Sequence, residues 1–94
     1  MQLDSRKTGA LIARLRREKD WTQLELAERL HITPQAVSRW ETGDSFPDIA
    51  LLAELAHLFD ISIDALLYGE LPGEATRRSQ VAASQVLEQL AQGN

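Results

Sequence analysis

The chain has no cysteine, which excludes a disulfide framework and, with it, a thiolate zinc site. Its two histidines, His31 and His57, are too few and too far apart to hold a metal alone, so neither metal nor cofactor is expected. The five glycines are dispersed, leaving no Gly-rich loop to cradle a phosphate. No histidine is spaced with a serine, a carboxylate and a second base as a catalytic set, which argues against an enzyme. The N-terminus, MQLDSRKTGA, lacks an apolar signal region, and no apolar run approaches the roughly 20 residues needed to span a bilayer. A soluble, cytoplasmic protein with no membrane attachment is expected. No segment alternates as a strand, and there is no internal repeat or low-complexity tract.

A further absence is of one charge over a long stretch of the chain. Residues 41–76 carry eight acidic residues and no basic one, whereas residues 1–40 carry eight basic against five acidic; the total is −4. Attraction to a polyanion decays over a Debye length of about 8 Å at physiological salt, so the local sign at a docking face outweighs the total. The acidic half would then face away from any polyanion; alternatively, −4 is ordinary solubility. With 94 residues and 44% hydrophobic content, the chain suits one small, marginally cored domain.

What is present concentrates in residues 22–41, TQLELAERLHITPQAVSRWE. Thr22 and Glu25 form a capping box: the threonine accepts the Glu25 N–H, and the glutamate reaches back to the Thr22 N–H. Thr33 followed by Pro34 is a second start, a hydroxyl cap with proline at the first helical position. Two short helices therefore meet across a turn. Ala27 permits a close crossing, and Leu26, Leu30 and Val37 bury the joint. Gln35, Ala36, Ser38 and Arg39 remain exposed, a set able to donate and accept hydrogen bonds. This is the sequence form of a helix-turn-helix, whose second helix enters the DNA major groove.

Around it, Leu11, Ile12 and Leu15, with Thr8 one turn earlier, predict a first helix from about Arg6 to Lys19 with Ser5 as its cap. Asp20 and Trp21 form the link to the second helix, with Trp21 expected as a core plug and a ligand contact as its other reading. Gly43 suits a left-handed C-terminal cap. Asp48 caps a fourth helix with Ile49, Leu52, Leu55, Ala56 and Phe59 inward, and Ser62 starts a fifth with Ile63, Leu66 and Leu67 inward. Leu71, Pro72 and Gly73 break the pattern, and residues 74–91 resume it as an amphipathic helix with Ala75, Ser79, Ala82, Ala83, Val86, Leu87 and Leu90 on one stripe. Such a helix is not stable alone in water. Its own domain, a second subunit or a following domain could cover it; the spacing of Ser79, Ala83, Val86 and Leu90 favours a weak coiled-coil dimer.

GALIARLRREKDWTQLELAERL, TPQAVSRWETG, FPDIALLAELAHLFDIS and IDALLYG occur in this order over Thr8 to Tyr68, about two-thirds of the chain. In these segments the chain resembles the phage-repressor-like helix-turn-helix regulators, of the Cro/CI or xenobiotic-response-element type. The resemblance implies an all-α, five-helix, lambda-repressor-like DNA-binding domain at residues 1–69. Residues 70–94 would then be a linker and an additional C-terminal helix.

By the family's pattern, the base-contacting positions fall on Pro34, Gln35, Ser38 and Arg39. Arg39 suits guanine O6 and N7, and Gln35 suits adenine N6 and N7; each such pair discriminates by about 1–3 kcal/mol. Pro34 departs from some relatives and offers only apolar contact. Gln23 matches a phosphate-binding position at a helix N-terminus. Thr22, Thr33, Thr42 and Ser45 are further phosphate candidates, with capping as their other role. Arg6 and Lys7 stand either as an N-terminal arm or as a solvated terminus. The resemblance pairs Arg16 with Glu41 in a partly buried salt bridge that aligns the reading helix. Trp40 falls on a core-side position, its alternative being an edge site with the indole N–H on a phosphate.

The function implied is a sequence-specific transcriptional regulator, mostly a repressor, binding double-stranded DNA as a homodimer on a two-fold-related operator. A second reading is an antitoxin-type protein that binds a partner protein through its acidic half or C-terminal helix and represses its own operon. A third is a protein-binding helical module without DNA binding.

Overall fold

The computed structural model describes residues 3–71. Residues 74–91, where the amphipathic helix and its dimer seam are expected, lie outside them. Among the described residues the chain forms five helices and no strand: α1 (Ser5–Glu18), α2 (Gln23–Leu30), α3 (Pro34–Thr42), α4 (Ile49–Phe59) and α5 (Ile63–Tyr68). None is long and apolar enough to cross a membrane.

Each helix begins where a short oxygen-bearing side chain satisfies an orphan N–H of the first turn. Thr33 Oγ1 accepts from Ala36 N at 3.3 Å, Asp48 Oδ1 from Leu51 N at 2.9 Å and Ser62 Oγ from Ala65 N at 3.1 Å. Thr22 Oγ1 accepts from Glu25 N at 3.0 Å. The Glu25 carboxylate, however, takes the Thr22 hydroxyl at 3.3 Å in place of the expected backbone N–H. At α1 the cap is Asp4, which accepts from Arg6 N at 2.9 Å, and not Ser5. The helix starts one residue early, which frees the Ser5 hydroxyl to donate to the Gly43 carbonyl at 2.8 Å.

Ile12, Leu26, Val37, Leu55 and Leu66 are fully buried and draw one core from all five helices. Burial of each such side chain contributes about 1.5–3 kcal/mol, which is what holds helices this short in place. Thr8 is also buried, and its hydroxyl donates to the Leu66 carbonyl at 2.6 Å, tying α1 to α5. Leu52, Leu55, Ala56 and Phe59 face inward as expected, but Ile49 is 81% exposed. Ile63 is likewise exposed, while Leu66 is buried and Leu67 packs against the core. Both isoleucines occupy the first helical position after a cap, where the stripe has run past the neighbouring helices that cover the later turns.

Candidate nucleic-acid interface

The turn between α2 and α3 is closed by the backbone. His31 adopts the left-handed conformation at φ 57°, and Ile32 N–H donates back to the Ala27 carbonyl at 3.0 Å. A non-glycine residue there costs roughly 1–2 kcal/mol, offset by the carbonyls it satisfies. Ala27 is fully buried at the crossing, and Leu26, Leu30 and Val37 close the joint. The far end of α3 stops at Gly43, whose φ of 84° is the left-handed cap that few other residues adopt.

Two faces of α3 follow from this packing. Val37 and Trp40 point into the core, with Trp40 only 4% exposed. Gln35, Ser38, Arg39 and Thr42 recur at the i, i+3, i+4, i+7 spacing of the opposite face. Gln35, Arg39 and Thr42 are exposed, and Ser38 is half-buried beside them. Pro34 and Ala36 are half-buried at the first turn. The four expected base-contacting residues are thus brought together on one short helix, with hydrogen-bonding side chains outward at three of them.

Glu41 anchors this helix. Its carboxylate accepts from Arg16 Nε at 2.7 Å, Arg16 Nη2 at 3.0 Å and Gln23 Nε2 at 3.0 Å, while Arg16 Nη1 donates to the Trp21 carbonyl at 2.6 Å. The two side chains are 11% and 7% exposed. Hydrogen bonding to Glu41 pushes the Arg16 guanidinium above its ordinary value, with burial opposing and the carboxylate's charge adding. The expected Arg16–Glu41 pair is therefore present, and it spans the end of α1, the link before α2 and the end of α3. It also cancels the charge of Glu41, leaving Arg39 as the charged group on the outward stripe of α3.

The structure assigns Gln23 a task that its position alone did not reveal, since its amide is held by Glu41. One Nε2 hydrogen is used there, and the other remains chemically able to meet an anion. Thr22 and Thr33 are exposed and act as caps. Thr42 Oγ1 lies 3.1 Å from the Arg39 carbonyl and 3.0 Å from Asp44 Oδ2, two acceptors that compete for its one proton. Ser45 is half-buried, its N–H on the Arg39 carbonyl at 3.3 Å. Arg6 and Lys7 form neither a loose arm nor a free terminus: both lie in α1, with Lys7 Nζ 3.8 Å from Glu70. Trp21 is half-buried against Phe59, with the Arg29 guanidinium 4.0 Å above its ring.

One site-shaping residue was missed: Gly9, where α1 touches the backbone of α3. Its signal was available, because a glycine inside a helical pattern costs about 1 kcal/mol relative to alanine and implies a close approach.

Comparison with known proteins agrees with this geometry. The helix-turn-helix family model matches residues 12–66, from the middle of α1 into α5. The chain is 39% identical over 59 residues to the HTH-type transcriptional activator BcrR of Enterococcus faecalis, covering 63% of this chain and 29% of that protein. It is 33% identical over 69 residues to the ImmF control region 10 kDa protein of Bacillus phage phi105, covering 73% and 77%. Among solved structures, the clp gene regulator ClgR of Corynebacterium glutamicum superposes with a TM-score of 0.64 at 26% identity, covering 99% of this chain and 98% of that one. The chain belongs to the helix-turn-helix family, in its Cro/CI, xenobiotic-response-element type, a family of DNA-binding transcriptional regulators.

Proposed function

We propose that the protein is a sequence-specific DNA-binding repressor that occupies a two-fold-related operator as a homodimer. The observation that carries the reading is the outward stripe Gln35, Ser38, Arg39 and Thr42, on a helix braced from behind by Arg16, Glu41 and Gln23. In the major groove Arg39 pairs with a guanine, Gln35 with an adenine, Ser38 with either, and Pro34 lies against a thymine methyl. Gln23 offers its second amide hydrogen to a phosphate at the N-terminus of α2, where the helix dipole favours an anion. Thr22, Thr33, Thr42 and Ser45 flank the groove as backbone contacts; of these Thr42 contributes least, because its proton already has two acceptors. One module makes few base contacts, so two are needed, at half-sites about 34–36 Å apart. The C-terminal segment is the dimerisation element in this reading, and an activating sign, which the Enterococcus relative carries in its name, is the opposite outcome of a reporter assay.

The test is a salt titration of binding to a duplex selected from a random pool. The reading predicts a palindromic selected site and a steep fall in affinity with salt, as phosphate neutralisation releases counterions. Failure to select any duplex contradicts it. The second reading, an antitoxin-type interaction protein, is favoured by one observation: Asp44, Asp48, Glu54, Asp60 and Asp64 are all exposed on the half that lacks basic residues. Stoichiometric co-purification of a basic partner protein, lost on neutralising those carboxylates, supports that reading.

A further inference from the structure

At one point α1 and α3 meet with no side chain between them. A Cβ built on Gly9 would lie 1.9 Å from the Trp40 carbonyl oxygen, 2.9 Å from its carbonyl carbon and 3.1 Å from the Cα of Glu41. All three are main-chain atoms, which cannot swing aside as the tip of a side chain does. No turn requires glycine here, because Gly9 sits within the regular helix α1, where alanine is the better helix former. What the position requires is the missing methyl group.

The carbonyl that Gly9 accommodates is part of the end of α3. Trp40 O accepts the Gly43 N–H at 3.0 Å, and the Gly43 carbonyl accepts the Ser5 hydroxyl at 2.8 Å. Glu41, the next residue, carries the ion pair with Arg16. Arg39 immediately precedes Trp40 and is exposed on the far side of the same turn. Any group that lifts the Trp40 and Glu41 backbone therefore moves the Arg39 guanidinium.

We infer that Gly9 is a positioning residue for base readout, setting the height of α3 above α1 through Trp40 and Glu41; this rests on the DNA-binding reading above. Ordinary van der Waals contact with a Cβ begins near 3.4 Å, so a methyl group at residue 9 displaces the end of α3 by about 1 Å or more. A bidentate arginine–guanine pair needs both N···O and N···N distances within about 2.7–3.2 Å, and a shift of that size breaks at least one of them.

The experiment compares wild type, Gly9→Ala and Thr8→Val for affinity to the wild-type selected duplex and to a scrambled one, at a temperature where circular dichroism shows each fully folded. Thr8→Val is the control, since the bond it deletes runs from α1 to the Leu66 carbonyl of α5 and not to α3. The expected result is a loss of discrimination between the duplexes of about tenfold or more in Gly9→Ala, with discrimination unchanged in Thr8→Val. If Gly9→Ala is unfolded even in the cold, the comparison is repeated in trimethylamine N-oxide, which restores compact states. Discrimination still lost in the refolded variant supports the inference. Wild-type discrimination in folded Gly9→Ala overturns it and leaves Gly9 a purely structural residue. A wild type that itself does not discriminate overturns the DNA-binding reading instead.

Discussion

Glu41→Ala is the perturbation whose consequence the structure fixes most fully. The substitution removes three acceptor contacts at 2.7, 3.0 and 3.0 Å and leaves Arg16 with the Trp21 carbonyl as its remaining partner among those bonds. Breaking one side of a fully buried pair costs about 3–5 kcal/mol, mostly from the charge left behind. Exposures of 11% and 7% bring this site close to that limit, and the retained Trp21 bond places the expected loss near its lower end, about 3 kcal/mol. For a domain of this size each kcal/mol lowers the melting temperature by roughly 4–8 °C, so a thermal melt should shift down by about 12 °C or more. Replacing both partners, Arg16→Met with Glu41→Leu, should cost less than either single change, because no uncompensated charge remains. A loss under about 1 kcal/mol in Glu41→Ala, the scale of a solvent-exposed pair, would refute the buried-anchor argument. So would a double variant whose loss equals the sum of the singles. The Arg16 side of the pair adds no pH dependence in the neutral range. A raised basic group stabilises fully below its unfolded value and loses that contribution only as pH climbs through its higher folded one.

Two further changes probe the frame around the reading helix. Thr8→Val keeps the buried shape but deletes the 2.6 Å bond to the Leu66 carbonyl, which retains the Gly69 N–H at 3.2 Å; denaturant unfolding should show a loss of about 1 kcal/mol, and no loss would mean that the bond is energetically idle. Asp48→Ala removes the cap of α4 and should lower stability by about 0.5–2 kcal/mol, with Asp48→Asn close to wild type; an equal loss in both would assign the effect to charge instead of capping.

Local chemistry made the helix starts legible. Thr22, Thr33, Asp48 and Ser62 each announce a helix because their oxygens compete for backbone N–H groups, and the structure uses all four as caps. Most of the polar stripe of α3 was equally readable, since Val37 fixes which side is buried, but Ala36, expected among the exposed residues, is half-buried at the first turn. Periodicity failed at Ile49 and Ile63, because it gives the phase of a helix but not how far its neighbours extend. Ser5 is expected as the cap of the first helix where the structure uses Asp4, and the bond that occupies the Ser5 hydroxyl reaches Gly43, 38 residues away, out of range of local reasoning. Gln23 shares that cause, since its bond to Glu41 exists only once α1, α2 and α3 are assembled; for Gly9 the sequence signals a close approach, but only the fold supplies Trp40 as what approaches it.

The account turns on the outward face of α3 reading bases, and the most direct test is to select duplexes from a random pool with wild type and with Arg39→Ala. The expected outcome is that the variant loses a guanine preference at one position in each half-site while keeping the rest of the pattern, with Gln35→Ala losing an adenine at another. An unchanged pattern in both variants, or a uniform weakening without any change in base preference, would contradict it.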